Sequence, residues 1–311
     1  MNRIERVEQV LQGKEVDRPP LSLWYHFGVQ HGGGERLASL AIDCFRHYRF
    51  DFLKVMNDYF YPMPEGIEAV RTASDLHRIV RFDVETSPWK EQLRAVQAIA
   101  SDLAGEAFFL DTVFDPWQTL RRALAGEHLV RLMEEEPDAV LSALEILAEN
   151  LSRYCERSLA AGSAGIFLSI AAGKEMIGRE RFLRFVKPFA ARVLSSVRGK
   201  AILNTAHIHG DDLWFDDCID LPADAFNWWD RGPNGPSLAA VKERISGCVM
   251  GGIDHTIVTR RTVPFLKEHV REARRLGGRD RFLLANGCSI DASVNPAAIR
   301  AIVEAAREEM P

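Results

Sequence analysis

Short apolar runs recur along the chain, and longer segments with helical periodicity separate them. The runs are rich in β-branched and aromatic residues and have the length of strands, which favours β-strands over pieces of helix. Eight runs are predicted as strands: residues 21–25, 52–56, 107–110, 165–170, 201–206, 225–228, 248–251 and 282–285.

The intervening segments repeat apolar residues three and four positions apart, as helices do when one face is buried. The last segment begins with Asn295 and Pro296, which suit an N-cap and the first helical position. The predicted helices span residues 88–103, 138–161, 180–197, 238–246, 263–276 and 296–309.

The alternation of strands and helices with short connections predicts βαβ units and a parallel sheet. Eight strands favour closure into a single-domain (β/α)8 TIM barrel over residues 1–311, rather than a doubly wound sheet. No glycine-rich dinucleotide or phosphate-binding motif follows any predicted strand, which weakens the nucleotide-binding alternative. The fold class is therefore predicted as α/β.

Composition and charge narrow the class of protein. The hydrophobic share of 47% over 311 residues supports a sizeable core, and the net charge of -5 argues against a nucleic-acid partner. No stretch reaches the roughly 20 apolar residues of a membrane helix, and the charged start resembles no signal peptide. We therefore expect a cytoplasmic protein without a membrane partner. Its five scattered cysteines do not form a disulfide framework.

Two histidines and a cysteine follow predicted strands, where the site of a barrel forms. His207 and His209 are two positions apart, so on extended backbone both side chains point the same way. Cys288 follows the eighth predicted strand. Two imidazoles and a thiolate suit a catalytic zinc ion, which keeps one position open. The three residues can also have purely structural roles. The histidines would then be polar residues at a strand end, and the cysteine a buried free thiol.

Other polar and aromatic residues stand at strand ends, where they can bind a small-molecule substrate or move protons. Each can instead be a cap or a packed aromatic. His47, His77, His128 and His269 fall in helical patterns and are interpreted as surface residues. The substrate-binding candidates are Trp24, Tyr25, His26, Asn57, Tyr59 and Trp229, and the proton-transfer candidates are Asp58, Asp111 and Asp254.

Several segments resemble the uroporphyrinogen decarboxylase superfamily. They are GKEVDRPP at 13–20, DFLKV at 51–55, AGSAGI at 161–166 and LANGC at 284–288. The resemblance extends over nearly the whole chain and implies a (β/α)8 barrel. True decarboxylases of this superfamily carry an arginine-rich loop after the first strand, whereas this chain has LWYHFG at 23–28. They also place a histidine where this chain has Cys288.

The other branch of the superfamily, the cobamide-dependent methyltransferases, resembles this chain more closely at its zinc positions. That branch uses a His-x-Cys pair and a later cysteine. His207 matches the first ligand and Cys288 the last, while His209 stands where the family has cysteine. The resemblance implies Zn2+ on these residues and a corrinoid on a partner protein. A second imidazole makes the site less anionic, which puts a thiol acceptor in question.

The resulting hypothesis is a zinc-dependent methyltransferase-like enzyme that moves a methyl group between a corrinoid protein and a small acceptor. One alternative is a carbon–carbon lyase of the decarboxylase type that uses Asp58 without metal. Another is a non-catalytic tetrapyrrole or corrinoid carrier that binds the macrocycle through Trp24, Tyr59 and Trp229. The sequence does not give the oligomeric state; a homodimer is one option, because barrels of this kind often self-associate.

Overall fold

Eight parallel strands surrounded by helices form the protein in a computed structural model that describes residues 1–29 and 31–309. The predicted (β/α)8 barrel is confirmed. The strands are β1 Leu21–Ser22, β2 Leu53–Val55, β3 Phe109–Phe114, β4 Gly165–Ala171, β5 Thr205–His209, β6 Ala225–Trp228, β7 Cys248–Ile253 and β8 Phe282–Asn286.

Helices cover the outside of the barrel and close its amino-terminal end. The predicted helix 180–197 is two helices in the structure, because Pro188 in the second cannot donate a backbone hydrogen bond to the first. The helices are α1 Arg3–Leu11, α2 Gly34–Tyr48, α3 Ala73–Leu76, α4 Lys90–Leu103, α5 Pro116–Thr119, α6 His128–Glu135, α7 Pro137–Ala160, α8 Arg179–Phe185, α9 Lys187–Val197, α10 Leu238–Lys242, α11 Val263–Gly277 and α12 Pro296–Ala306.

The sheet order is β1-β8-β7-β6-β5-β4-β3-β2, and every neighbouring pair is parallel. All eight carboxyl ends therefore meet at one mouth. Two predicted strands lie too early in the sequence. The third continues to Phe114, and the fifth begins at Thr205 and contains both His207 and His209. Residues of the described chain form no helix that is long and apolar enough to cross a membrane.

Side chains that alternate along each strand fill the barrel interior. Phe52 and Met56, on either side of β2, pack there with Phe167 and Met250. Lys54 shares their period of two and lies between them, so its side chain also enters the interior. A lysine is thus buried at 5% exposure inside an apolar core.

The seam between β1 and β2 is closed by Asp51. Its backbone N–H donates to the Leu21 carbonyl at 2.8 Å, and its carboxylate accepts from the Leu21 N–H at 2.9 Å. The same carboxylate accepts from Arg6 at 2.9 Å and from Arg18 at 2.5 and 2.8 Å. Asp51 is 1% exposed, so these bonds satisfy a fully buried charge. Asp51 therefore joins the first and second strands through both its backbone and its side chain.

Candidate metal centre

Strands β5 and β8 bring three metal-ligating side chains to the barrel mouth. His207 and His209 point inward from alternate positions of β5, and Cys288 lies just beyond the end of β8. One ligand atom from each of the three lies within 4.8 Å of the other two. Cys288 Sγ and His209 Nδ1 are 3.8 Å apart. The structure therefore gathers the predicted metal-ligating residues into one cluster.

A hydrogen bond fixes the ring of His207. Its Nδ1 lies 2.6 Å from Oδ1 of Asn227 on β6. The Asn227 amide nitrogen donates to the carbonyls of Met250 and Asn286 at 2.9 and 3.1 Å, which sets the orientation of the amide. Since Oδ1 can only accept, Nδ1 of His207 carries the proton and donates. The Nε2 lone pair is then free to bind a metal, as in sites whose ligands are oriented by an outer partner.

We expect Asn227→Ala to weaken zinc binding by about 10–100-fold, because it removes the group that orients His207. The measurement is a competition titration of zinc against a chromophoric chelator. Asn204→Ala is the matched control. Asn204 is also buried, but it lies before the amino end of β5 and accepts from the Ile166 N–H at 3.2 Å. Equal zinc affinities in the two variants would contradict the role given to Asn227.

The protonation states of the cluster suit a zinc ion. Burial lowers the pKa of His207 well below its usual range, and the neighbouring His209 and Lys54 lower it further. Burial also lowers the pKa of His209. Both imidazoles are therefore neutral at pH 7, the form that binds metal. Burial raises the pKa of the Cys288 thiol, so zinc binding would release its proton.

The spacing of the cluster is also compatible with zinc. Tetrahedral zinc with bonds of about 2.0–2.3 Å places its ligand atoms roughly 3.3–3.6 Å apart. The separation of 3.8 Å between Cys288 Sγ and His209 Nδ1 is already close to this range. The ring centroids of His207 and His209 are 5.5 Å apart, with an interplanar angle of 46°. Small side-chain rotations would thus suffice to close the cluster around the ion.

The three side chains line a small cavity of about 100 Å³, which we call the inner chamber. Trp24, Lys54 and Phe167 form part of its wall. The Lys54 Nζ lies 4.8 Å from the centre of the Phe167 ring and 5.5 Å from that of Trp24. Trp24, a predicted substrate-binding residue, thus lies in the same chamber as the metal ligands.

A second cavity of about 370 Å³, the outer chamber, lies next to the first. His26, Phe114 and Arg122 line both chambers, so they mark the passage between them. His26 Nδ1 is 2.6 Å from the Asp58 carboxylate. This pair can hold or move a proton at the passage.

The outer chamber contains four of the predicted site residues: His26, Asn57, Asp58 and Tyr59. Asn57 accepts from the Tyr59 N–H at 3.2 Å, and the Tyr59 hydroxyl donates to the Gly32 carbonyl at 2.9 Å. These bonds hold the loop that follows β2 in place. The loop presents Asp58 to His26 and the Tyr59 ring to the cavity.

Asp111 does not reach the cavity, so its predicted place at the site is wrong. It lies within β3 rather than after it, and its side chain points outward to the helices. The carboxylate accepts from Gln92 of α4 at 2.8 Å and from Tyr154 and Ser158 of α7 at 2.7 Å each. Burial raises the pKa of Asp111. The residue joins the sheet to two helices.

Tyr25 also points away from the chambers. Its hydroxyl lies 3.8 Å from Cys44 Sγ on α2, and its ring packs edge-on against Phe27 at 5.0 Å. The neighbouring residues Trp24 and His26 face the cavity, so alternation along the strand end sends Tyr25 to the helix layer. Its predicted role in substrate binding is therefore not supported by its position.

Trp229 and Asp254 are brought together, but beside the chambers rather than in their walls. The Trp229 indole N–H donates to Asp254 Oδ1 at 3.0 Å, and the same oxygen accepts from the Thr256 hydroxyl at 2.8 Å. The Asp254 N–H donates to His269 Nε2 at 3.0 Å. His269 is 8% exposed, so interpreting it as a surface residue was wrong. This group fixes the loop after β7.

Two cationic residues of the chambers were missed by the sequence reasoning. Lys54 was included in a predicted strand as part of an apolar run, although a lysine at an inward position is itself a signal. Arg122 lies on a π-helical turn, Leu120–Ala125, and its guanidinium stacks 3.9 Å from the centre of the Phe114 ring. Such turns are frequent at functional sites, but no sequence motif marks this one.

Solved structures with the same architecture include several methyl-transferring proteins. A methyltransferase from Methanosarcina mazei is 17% identical, covers 98% of both chains and has a TM-score of 0.80. A B12-independent methionine synthase from Shewanella is 11% identical over 94% of both chains, with a TM-score of 0.59. A putative B12-independent methionine synthase from Listeria monocytogenes is 13% identical over 88% of this chain and 86% of its own, with a TM-score of 0.61. At these identities the similarities show the fold.

The sequence itself carries a family match. No functionally curated protein sequence is significantly similar to the chain. The model of the uroporphyrinogen decarboxylase (URO-D) family, however, matches residues 2–309. The resemblance found in the sequence segments is thereby confirmed, and the chain belongs to the uroporphyrinogen decarboxylase family.

Proposed function

We propose that this protein is a zinc-dependent methyltransferase-like enzyme, in which His207, His209 and Cys288 hold the metal. The observation that carries the proposal is the convergence of their ligand atoms to within 4.8 Å at the floor of a cavity. A zinc ion held by these three residues would have an open coordination position, and it would supply the Lewis acidity that lowers the pKa of a small acceptor. The chain would then use that acceptor as the nucleophile for a methyl group.

The protein groups around the cluster have distinct tasks in this proposal. Asn227 holds His207 with Nε2 toward the metal. The chamber wall of Trp24 and Phe167 limits access of water to the reacting atoms. His26 and Asp58, 2.6 Å apart at the passage, accept the proton that the acceptor loses. Each of these residues thus binds, orients or moves a proton without itself carrying the methyl group.

The methyl donor in the proposal is a methylated corrinoid on a separate protein. Within residues 1–29 and 31–309 the helices and strands belong to the barrel, and none of them forms a separate corrinoid-binding domain. The outer chamber shares His26, Phe114 and Arg122 with the inner chamber, so it gives a donor a path toward the cluster. The fold similarity to the Methanosarcina mazei methyltransferase, which extends over 98% of both chains, supports this choice of reaction class.

Free methylcobalamin and 2-mercaptoethanol test the proposal. The reaction transfers the methyl group from cobalt to sulfur: the carbon–cobalt bond breaks with its electron pair left on cobalt, a carbon–sulfur bond forms, and the thiol proton passes to the His26–Asp58 pair and then to solvent. We expect the zinc-loaded protein to form the S-methyl product. The change in corrinoid absorbance measures the rate. The metal-stripped protein and the His207→Ala variant should form no product. Added zinc should restore methyl transfer in the metal-stripped protein but not in His207→Ala.

Two results would contradict the proposal. One is a methyl-transfer rate that is the same with and without zinc. The other is an absence of methyl transfer together with release of carbon dioxide from uroporphyrinogen by metal-free protein, which would instead favour the decarboxylase reaction through Asp58.

A further inference from the structure

The inner chamber contains a buried cation without a charged partner. Lys54 is 5% exposed and forms no ion pair with an acidic side chain in residues 1–29 and 31–309. The acceptor nearest its ammonium is the Met56 sulfur, at 2.7 Å. A thioether is a weak acceptor, and an ammonium has three donors. At least two donors are thus left without a protein acceptor.

The surroundings of Lys54 stabilise a positive charge only in part. The faces of Phe167 and Trp24 lie 4.8 and 5.5 Å from Nζ, within the range of cation–π attraction. Such contacts are weaker than the hydration that an ammonium loses on burial. Burial accordingly lowers the pKa of Lys54 to about 7. The group is therefore incompletely compensated in the protein alone.

The charged side chains that line the inner chamber are basic. Lys54 and Arg122 line it together with the metal-ligating cluster, and no aspartate or glutamate of the described chain does. A zinc ion with two neutral imidazoles and one thiolate would add a further positive charge. A neutral or cationic occupant would leave this field uncompensated, whereas an anion would neutralise it.

We propose that Lys54 binds an anionic group, a carboxylate or similar small oxyanion, on the molecule that occupies the inner chamber. This inference rests on the proposed function, because it identifies the occupant as the methyl acceptor. One end of the acceptor would bind the metal, and the other end would bind Lys54. Lys54 is a specificity-determining residue in this arrangement, and the acceptor is a small acid rather than a neutral compound.

Two matched pairs of probes test this. In the first arm, zinc-loaded protein is titrated with 3-mercaptopropionate or with 3-mercaptopropan-1-ol. The two compounds differ at one end, where the first has a carboxylate and the second a hydroxyl group. In the second arm, metal-free protein binds propionate or propan-1-ol, which reports on Lys54 without the metal. Calorimetry measures affinity in both arms. We expect the acid to bind about tenfold or more tightly than the alcohol, as a charge-assisted hydrogen bond allows.

Lys54→Met is the central variant, because methionine keeps much of the length of the side chain and removes its charge. It should abolish the preference for the acid in both arms and leave the affinity for the alcohols within about twofold, because only the charge-assisted bond is lost. Lys14→Met makes the same change at an exposed position and should have no effect. The melting temperature of Lys54→Met should equal or exceed that of the wild type, since an unpaired buried charge is removed.

The outcomes separate the two proposals. A wild-type protein without preference for the acid in either arm overturns the role of Lys54, as does a Lys54→Met protein that keeps the preference. A protein that fails to bind zinc or either thiol, but still prefers propionate through Lys54, overturns the metal-based function and supports the anion site. A lower melting temperature with unchanged preference would indicate that Lys54 has a purely structural role.

Discussion

Cys288→Ala is expected to lose stoichiometric zinc, with the affinity of the site falling by more than about 100-fold. Loss of an outer-shell partner alone costs 10–100-fold, and loss of a ligand removes a bond to the metal itself. The loss in zinc affinity should be large because, among the three ligands of the cluster, only the cysteine supplies an anionic group. Zinc per chain, measured by atomic emission after gel filtration, gives the result directly.

Cys248→Ala is the matched control for this experiment. Cys248 is the first residue of β7 and is 1% exposed, and at this amino-terminal end of the barrel its thiol donates to the Val10 carbonyl at 3.5 Å. It should keep the zinc content of the wild type. Zinc retained by Cys288→Ala, or lost equally from Cys248→Ala, would show that the ion is bound elsewhere.

Asp51→Ala should lower the free energy of unfolding by about 3–5 kcal/mol, the usual effect of removing one partner of a buried ion pair. The substitution leaves Arg6 without its buried partner, and the side chain of Arg6 is only 6% exposed. It also removes the acceptor of the Leu21 N–H at the seam of the barrel. Urea denaturation followed by circular dichroism measures the change.

Asp17→Ala is the control that separates the stability contributed by the seam from that of an ordinary ion pair. Asp17 also binds Arg6, at 2.7 Å, but its side chain is 45% exposed. Exposed pairs contribute about 0–1 kcal/mol, so this variant should be close to the wild type. Equal losses in the two variants would mean that closure of the seam contributes nothing beyond an ordinary ion pair.

The sequence was sufficient for the number and order of the strands, because an apolar run overlaps each barrel strand at least in part. It was insufficient for strand ends at the barrel mouth. In β5 the run at 201–206 suggested a strand that ends before the histidines, yet Ile202 is 46% exposed and the strand is Thr205–His209. Inward positions near the mouth are polar because they line a cavity, so hydrophobicity ends the predicted strand too early.

A strand end predicted too early also explains the misplacement of Asp111. With β3 ending at residue 110, Asp111 belonged to a loop at the mouth. With β3 extending to Phe114, it becomes an outward position bonded to Tyr154. Alternation within a strand could place His207 beside His209 from sequence alone. The approach of Cys288 depends on closure of the barrel, which no local pattern encodes.

The segments that carried the family resemblance have different tasks in the structure. In GKEVDRPP and DFLKV, Arg18 and Asp51 form the ion pair at the seam. DFLKV also supplies Lys54 to the inner chamber, and LANGC supplies Cys288. Sequence similarity alone gives these residues equal weight, whereas burial and contacts separate those that close the barrel from those that line the cavity.

X-ray absorption at the zinc edge tests the central claim most directly, because it reports which atoms bind the metal. For wild-type protein loaded with one zinc per chain, we predict two nitrogen ligands at about 2.0–2.1 Å and one sulfur at about 2.3 Å, with a light atom from solvent as the fourth. The sulfur shell should vanish in Cys288→Ala and remain in Cys248→Ala. A spectrum of oxygen and nitrogen ligands without sulfur, or a protein that takes up no zinc, would contradict a metal centre on His207, His209 and Cys288.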